Sequence, residues 1–284
     1  MPSTQKVWLI TGASSGLGQE IALAALKNGD TVVATARSAA KLAPLKQRGA
    51  ITLTLDVRAS DEVIGKVVGD IVKKNERIDI LVNNAGYILA GGVEECNRKE
   101  VREQFETNVF GQLNVIRAVL PFMRACKSGV VANLGSIGSW QGSPAAGLYC
   151  ASKACASILS ESLRSEVAHL GIEVTAIEPG YFRTNFLSQG HKVHAARTIK
   201  DIKPGVDATL AGLEAYNHKQ PGDPAKAAQV IVEALTKSGR CKGKALPARL
   251  PLGSDAIQFI GGVLDKQHKN LKEWGPLAST TDHK

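Results

Sequence analysis

Short apolar runs alternate with stretches of helical period along most of this chain, and that rhythm predicts its architecture. Residues 6–10 (KVWLI), 31–36 (TVVATA), 51–55, 79–82, 129–134 and 172–177 are continuous rather than alternating apolar runs, as expected of strands buried on both faces. Between them, helices are predicted over 20–27, 39–48, 61–75, 94–106, 107–127, from Tyr149 to 169, and 225–236. Strands regularly separated by helices predict an α/β protein with a doubly wound parallel sheet, whose ligands meet the carboxyl ends of the strands. A short edge strand is expected at 244–246 and a C-terminal helix at 254–272. Residues 185–224 lose clear periodicity and gather Gly, His, Lys and Pro, which predicts an irregular lid over a binding site. The polar end, 275–284, is expected to fray.

Length and composition narrow the class. A chain of 284 residues with 44% hydrophobic content can bury one full core, so a single domain spanning 1–284 is expected. No apolar run approaches the length of a membrane span and the first residues, MPSTQKVWLI, show no leader pattern, which leads to the expectation of a cytoplasmic protein. Five cysteines without C-x-x-C spacing indicate neither a disulfide framework nor a zinc site. His191 and His194 are three apart but have no third ligand, so no metal is expected. The net charge of +9 is scattered and aromatics are few, which argues against nucleic acid and for steering of an anionic, phosphate-bearing ligand.

The loops after the strands carry the chemistry. Thr11-Gly12-Ala13-Ser14-Ser15-Gly16-Leu17-Gly18 lies between the first strand and first helix, where glycines allow positive φ and close approach of backbone to a pyrophosphate. Arg37 follows the second strand with no carboxylate nearby, which favours a ribose 2′-phosphate, and hence NADP over NAD. Asp56 and Asn83 end the third and fourth strands and are placed to line a cofactor crevice. Tyr149 and Lys153 are four apart on a predicted helix and share a face. A phenol titrates near ~10, and a nearby cation lowers that value and fits it for proton transfer to a carbonyl or alcohol oxygen. Ser136, at the end of the strand before that helix, can bring a second hydroxyl to the same carbonyl.

Taken together, TGxxxGxG at 11–18, NNAG at 83–86, Asn108, Ser136, Tyr149, Lys153 and Pro179-Gly180 resemble the short-chain dehydrogenase/reductase family, over about residues 6–246. The resemblance implies a single Rossmann-type domain and an NADP(H)-dependent oxidoreductase that interconverts a carbonyl and an alcohol. By that likeness Tyr149 is the general acid/base, Lys153 lowers its pKa and binds the nicotinamide ribose, Ser136 holds the carbonyl oxygen, and Asn108 relays protons through water. The cofactor would meet Thr11, Gly12, Ser14, Ser15, Gly16, Leu17 and Gly18 at the phosphates. It would meet Arg37, Asp56, Val57, Asn83, Ala85 and Gly86 along the adenosine side, and Pro179, Gly180, Phe182 and Thr184 near the nicotinamide. Gly135 departs from the family's usual Ser or Ala, Phe182 from its Val or Ile, and Ser15 stands where some NADP-specific relatives carry a basic residue. The lid and tail are similar to those of reductases in fungal biosynthetic pathways. A sizeable, mostly apolar small-molecule substrate is expected to face Tyr87, Ile88, Leu89, Ser139, Trp140, Tyr181, Phe186, Leu187 and Tyr216, with Arg183, His191 and Lys192 as lid charges. The family also implies a homodimer or homotetramer built on the helices of Asn108 and Tyr149. A redox-neutral isomerase, dehydratase or epimerase, and a non-catalytic NADP-binding regulator, are the alternatives.

Overall fold

The computed structural model describes residues 5–188 and 191–283. Residues 1–4 of the start, 189–190 of the expected lid and Lys284 of the tail lie outside that set. Strands are β1 (Val7–Ile10), β2 (Thr31–Ala36), β3 (Ile51–Thr54), β4 (Ile80–Asn83), β5 (Ile88–Ala90), β6 (Gly129–Leu134), β7 (Ile172–Pro179), β8 (Lys192–His194) and β9 (Arg249–Leu252). Seven of them form one parallel sheet in the order β3-β2-β1-β4-β6-β7-β9, while β5 and β8 pair in a small parallel sheet of their own. The expectation of a doubly wound parallel sheet is met, and the β5–β8 pair is an addition to it.

The helices are α1 (Gly16–Lys27), α2 (Ala43–Gln47), α3 (Asp61–Asn75), α4 (Arg98–Phe105), α5 (Gly111–Cys126), α6 (Gly147–Val167), α7 (Lys203–Tyr216), α8 (Pro224–Thr236) and α9 (Ser254–Ala278). They cover both faces of the sheet, and successive strand residues point to opposite cores. Trp8 and Ile10 join a cluster with Ile21 of α1 and Ile231 of α8, whereas Leu9 joins Ile64 of α3 and Val115 of α5 on the other side. This is why the strands read as unbroken apolar runs.

Four boundaries differ from expectation. Residues 39–48 form a 3₁₀ turn (Ala39–Leu42) followed by the short α2, with Pro44 at its start. The edge strand is Arg249–Leu252 rather than 244–246; Pro251, which cannot donate to a ladder, is accommodated because β9 pairs on one side only. The irregular stretch 185–224 contains α7, whose apolar period is faint because Val206 is its buried residue among solvent-facing neighbours. The C-terminal helix runs through Gly275-Pro276 to Ala278 and ends in a 3₁₀ turn, Ser279–Thr281, along an exposed path with space for the proline ring.

At the amino ends of the strands, buried Asp30 accepts hydrogen bonds from Trp8 Nε1 (2.9 Å), Lys6 N (3.0 Å) and Asn28 Nδ2 (3.0 Å). Asp30→Ala leaves the indole N–H buried without a partner and is expected to cost about 2 kcal/mol in urea unfolding. Because it lies at the sheet edge opposite the cleft described next, cofactor affinity should stay within about twofold, by the independence of distant sites.

Candidate active site

A cleft of about 640 Å³ runs along the carboxyl ends of the strands. Its floor begins at the β1–α1 turn, where Gly12 takes φ +64°, and a Cβ there would stand 2.7 Å from Ala85 Cα. Thr11 Oγ1 accepts the N–H groups of Asn84 (3.1 Å) and Ala85 (3.2 Å), and Asn84 Nδ2 donates to the carbonyls of Thr11 (3.1 Å) and Gly12 (2.9 Å). These bonds fasten the β1–α1 turn to the loop after β4. Gly12, Ser14, Ser15, Gly16 and Leu17 line the cleft. Thr11 is buried behind it, and Gly18 is the point of closest packing, since its Cβ would lie 2.3 Å from Asn84 Nδ2.

Asn83 does not line the cleft. Its side chain turns inward to Asn133 Oδ1 (2.9 Å), which in turn reaches Ser160 Oγ through Asn133 Nδ2 (2.9 Å). The next residue, Asn84, faces the cleft instead, together with Ala85 and Gly86. At the adenosine end the lining includes Ala36, Arg37, Asp56 and Val57. Asp56, expected as a free adenine contact, is paired with Arg58 (2.8 Å), whose hydrogen bonds hold its carboxyl below the usual carboxylate range. Arg58 also lines the cleft and was missed in the sequence, where D-x-R at a strand end was its signal.

At the other end, α6 places Tyr149 and Lys153 one turn apart, facing the end of β6. Lys153 is 4% exposed, and its Nζ donates to the Leu134 carbonyl (2.6 Å) while lying 5.9 Å from the Tyr149 ring centre. Burial lowers the lysine's pKa to about 8. Ser136 and Tyr149 both line the cleft here; burial pushes the Tyr149 pKa up, and the Ser136 hydroxyl opposes that rise. The Lys153 ammonium, which the sequence reading sets beside the phenol, is engaged here by the Leu134 carbonyl, and the Ser136 hydroxyl favours the phenolate.

Asn108 sits in a π turn (Glu106–Phe110) joining α4 to α5. It is fully buried, accepting from Tyr87 N (3.1 Å) and donating to Tyr87 O (2.9 Å) and Ser152 Oγ (3.1 Å), so it braces the loop rather than lining the cleft. A Cβ on Gly86 would lie 3.1 Å from Asn108 Oδ1 and 3.6 Å from Lys153 Nζ, which places both side chains against the same side of Gly86.

The Ser136 loop is held from behind. Ser139 Oγ accepts from Ser136 N (3.2 Å) and donates to the Lys153 carbonyl (2.9 Å), and Ser157 Oγ bridges Ser139 Oγ (2.9 Å) and Glu178 Oε1 (2.7 Å). Glu178 is fully buried, with its pKa raised by desolvation, and takes Trp140 Nε1 (2.6 Å); Arg249 lies 3.3 Å away and stacks on the Trp140 ring. This explains Gly135: a Cβ there would stand 2.8 Å from Ser157 Oγ and 3.1 Å from Glu178 Cγ. Ser139 and Trp140, expected at the substrate, serve this network. Tyr87, Ile88, Tyr181, Phe186 and Leu187 do line the cleft, as do Pro179, Gly180, Phe182 and Thr184, while Leu89 is buried in the core and Tyr216 packs edge-on against Tyr181.

The family model described as short chain dehydrogenase matches residues 6–193. The chain belongs to the short-chain dehydrogenase/reductase family. It is 33% identical over 278 residues to "Oxidoreductase BOA17" of Botryotinia fuckeliana, covering 96% of this chain and 98% of that one. A crystal structure of a short-chain dehydrogenase from Streptomyces avermitilis superposes with a TM-score of 0.88 at 40% identity, over 99% of this chain and 100% of the other. ElxO with NADP bound shares the fold at a TM-score of 0.71 and 24% identity, covering 89% and 99%. Like these relatives, the chain is an oxidoreductase of this family. Among the described residues no helix is long and apolar enough to cross a membrane.

The family's dinucleotide fits the cleft: the positive-φ turn leaves no side chain at Gly12, and no side chain caps the first turn of α1. Lys153 gives a pH test of the site. Its folded pKa is depressed below the ordinary lysine value, so the unfolded chain holds this proton more tightly and burial costs stability below about pH 8. That cost disappears as pH rises towards ~10.4. Lys153→Met should raise stability at pH 7 by up to about 3 kcal/mol and the gain should fade by pH 10, measured by urea unfolding across pH.

Proposed function

We propose that this protein is an NADP(H)-dependent reductase or dehydrogenase that interconverts a carbonyl and an alcohol on a sizeable, mostly apolar small molecule. The observation that carries the reading is the convergence of Ser136, Tyr149 and Lys153 on one wall of the cleft, with Lys153 one helical turn from Tyr149. NADPH, when bound, supplies the hydride. It would be held by the turn of Gly12, Ser14, Ser15, Gly16 and Leu17, by Arg37 at its 2′-phosphate, and by Thr184 and Lys153 at its nicotinamide half.

The chain's own residues do the remainder. Ser136 and Tyr149 line the same stretch of the cleft and so present two hydroxyls to a single oxygen. Ser136 orients that oxygen, and Tyr149 gives it a proton in reduction or takes one in oxidation. A phenol raised by burial is a weak acid, which suits a proton donor that releases only to a developing alkoxide. Lys153, with its lowered pKa, passes protons between the phenol and bulk water beside the loop held by Asn108. Ile88, Tyr181, Phe186 and Leu187 present apolar surface to the substrate and exclude water from the reacting oxygen. Exposed Phe110, Ile158 and Leu159 on the Asn108 and Tyr149 helices support a homo-oligomer built on that face.

Tyr149→Phe is expected to lower turnover of a ketone panel by at least about a thousandfold, at the strong end for loss of a proton donor, with NADPH affinity within about twofold. Turnover within tenfold of wild type, followed by NADPH absorbance, removes Tyr149 from this role. Arg37→Ala should weaken NADPH at least about tenfold and NADH by less than about twofold, as one charge-assisted phosphate contact requires. Equal losses in fluorescence titrations refute the 2′-phosphate assignment.

A further inference from the structure

His191 comes from the lid, far in sequence from the glycine turn, yet its Nε2 lies 3.1 Å from Ser15 Oγ. Backbone pairing puts it there: Ile88 N donates to the His191 carbonyl (2.9 Å), and β8, beginning at the next residue, runs parallel to β5. Ser15 immediately precedes α1 and turns its hydroxyl to the imidazole rather than to the helix's own first turn. Both side chains line the cleft, as does Arg37. The charged groups acting on the imidazole are Lys41, in the turn after β2, and Arg37; the neighbours at its backbone, Ile88 and Ser188, carry no charge. Of the two carboxylates that line the cleft, Asp56 is already neutralised by Arg58, and Glu103 is not among the charges acting on the imidazole. Two cations and one titratable imidazole thus converge beside a helix N-terminus, an arrangement that repels itself until an anion joins it.

We propose that His191 is a phosphate-binding residue for the dinucleotide, which it grips in its protonated form beside Ser15. The proposal rests on the reading of the cleft as a cofactor site and adds to it a lid residue that makes cofactor affinity depend on pH. Burial and the two neighbouring cations hold the imidazole pKa below its ordinary value in the free protein. A phosphate in contact raises it, so binding takes up a proton, and affinity improves as pH falls from above the bound-state pKa to below the free-state pKa. The ligand atom is a phosphate oxygen of either the bridging diphosphate or the 2′-phosphate.

The test is the dissociation constant of NADPH and of NADH, by fluorescence titration from pH 6 to 8.5, for wild type, His191→Gln and His191→Lys. Thermal melts of each protein without cofactor, together with its NADPH affinity at pH 8.5, show that fold and cleft are intact. The ratio of the Gln variant's constant to that of wild type cancels the titration of the cofactor's own phosphate. That ratio is expected to grow from near one at pH 8.5 to at least about tenfold at pH 6, the range for a charge-assisted contact. His191→Lys should keep wild-type affinity at pH 6 and hold it to pH 8.5. Growth with both cofactors assigns the bridging diphosphate; growth with NADPH alone assigns the 2′-phosphate. A ratio that does not change with pH, whatever its size, overturns the proposal while leaving the cofactor reading intact. Failure of wild type to bind either dinucleotide overturns both.

Discussion

A lysine ammonium held almost out of water against a strand-end carbonyl fixes the reactive end of this molecule. The bond from Lys153 Nζ to Leu134 O ties the middle of α6 to the last residue of β6. Once that distance is set, Tyr149, one turn earlier, is brought to Ser136, two residues beyond the strand. A buried charge is tolerated when hydrogen-bonded, and the carbonyl here is available because the ladder between β4 and β6 ends one residue earlier, at Asn83 and Asn133. The same sheet edge supplies the remaining supports: Glu178 from β7 behind the Ser136 loop, and the Thr11–Asn84 clasp between the loops of β1 and β4.

Charge is divided along the cleft. The reactive end buries one lysine among hydroxyls, while the far end gathers Arg37, Lys41 and Arg58 at the surface, with Asp56 neutralised within its own loop. A net charge of +9 spread over the chain adds little direction by itself, but this local excess aims an anionic ligand at one end of the groove. The apolar middle then has to satisfy fewer polar groups, which suits a substrate recognised by shape around one reacting oxygen.

The frame was legible because both of its signals are local: apolar runs of strand length and a glycine turn before a helix. Tyr149 and Ser136 were legible for the same reason, since four residues on a helix and a strand end fix direction. What failed was anything decided by one residue of rotation or by a distant partner. Asn83 and Asn84 are chemically identical neighbours, and successive residues at a strand end face opposite ways, so composition could not say which entered the cleft. Asp56 looked free until Arg58 folded back on it. The sequence shows the spacing of Lys153 from Tyr149 but not the carbonyl that also engages the charge. α7 was hidden by its mostly exposed surface, and His191 read as one more surface charge because the pairing that carries it to Ser15 joins strands about a hundred residues apart.

That pairing of β5 with β8 has a consequence for how the chain matures. Closing so long a loop gains three short rungs of ladder, where β6 and β7 alone share six. The small sheet therefore forms on a scaffold already assembled and is the first part released when conditions worsen. The molecule acquires its binding wall last and surrenders it first, so a preparation can keep its helices and its melting transition after its capacity to hold a ligand has gone.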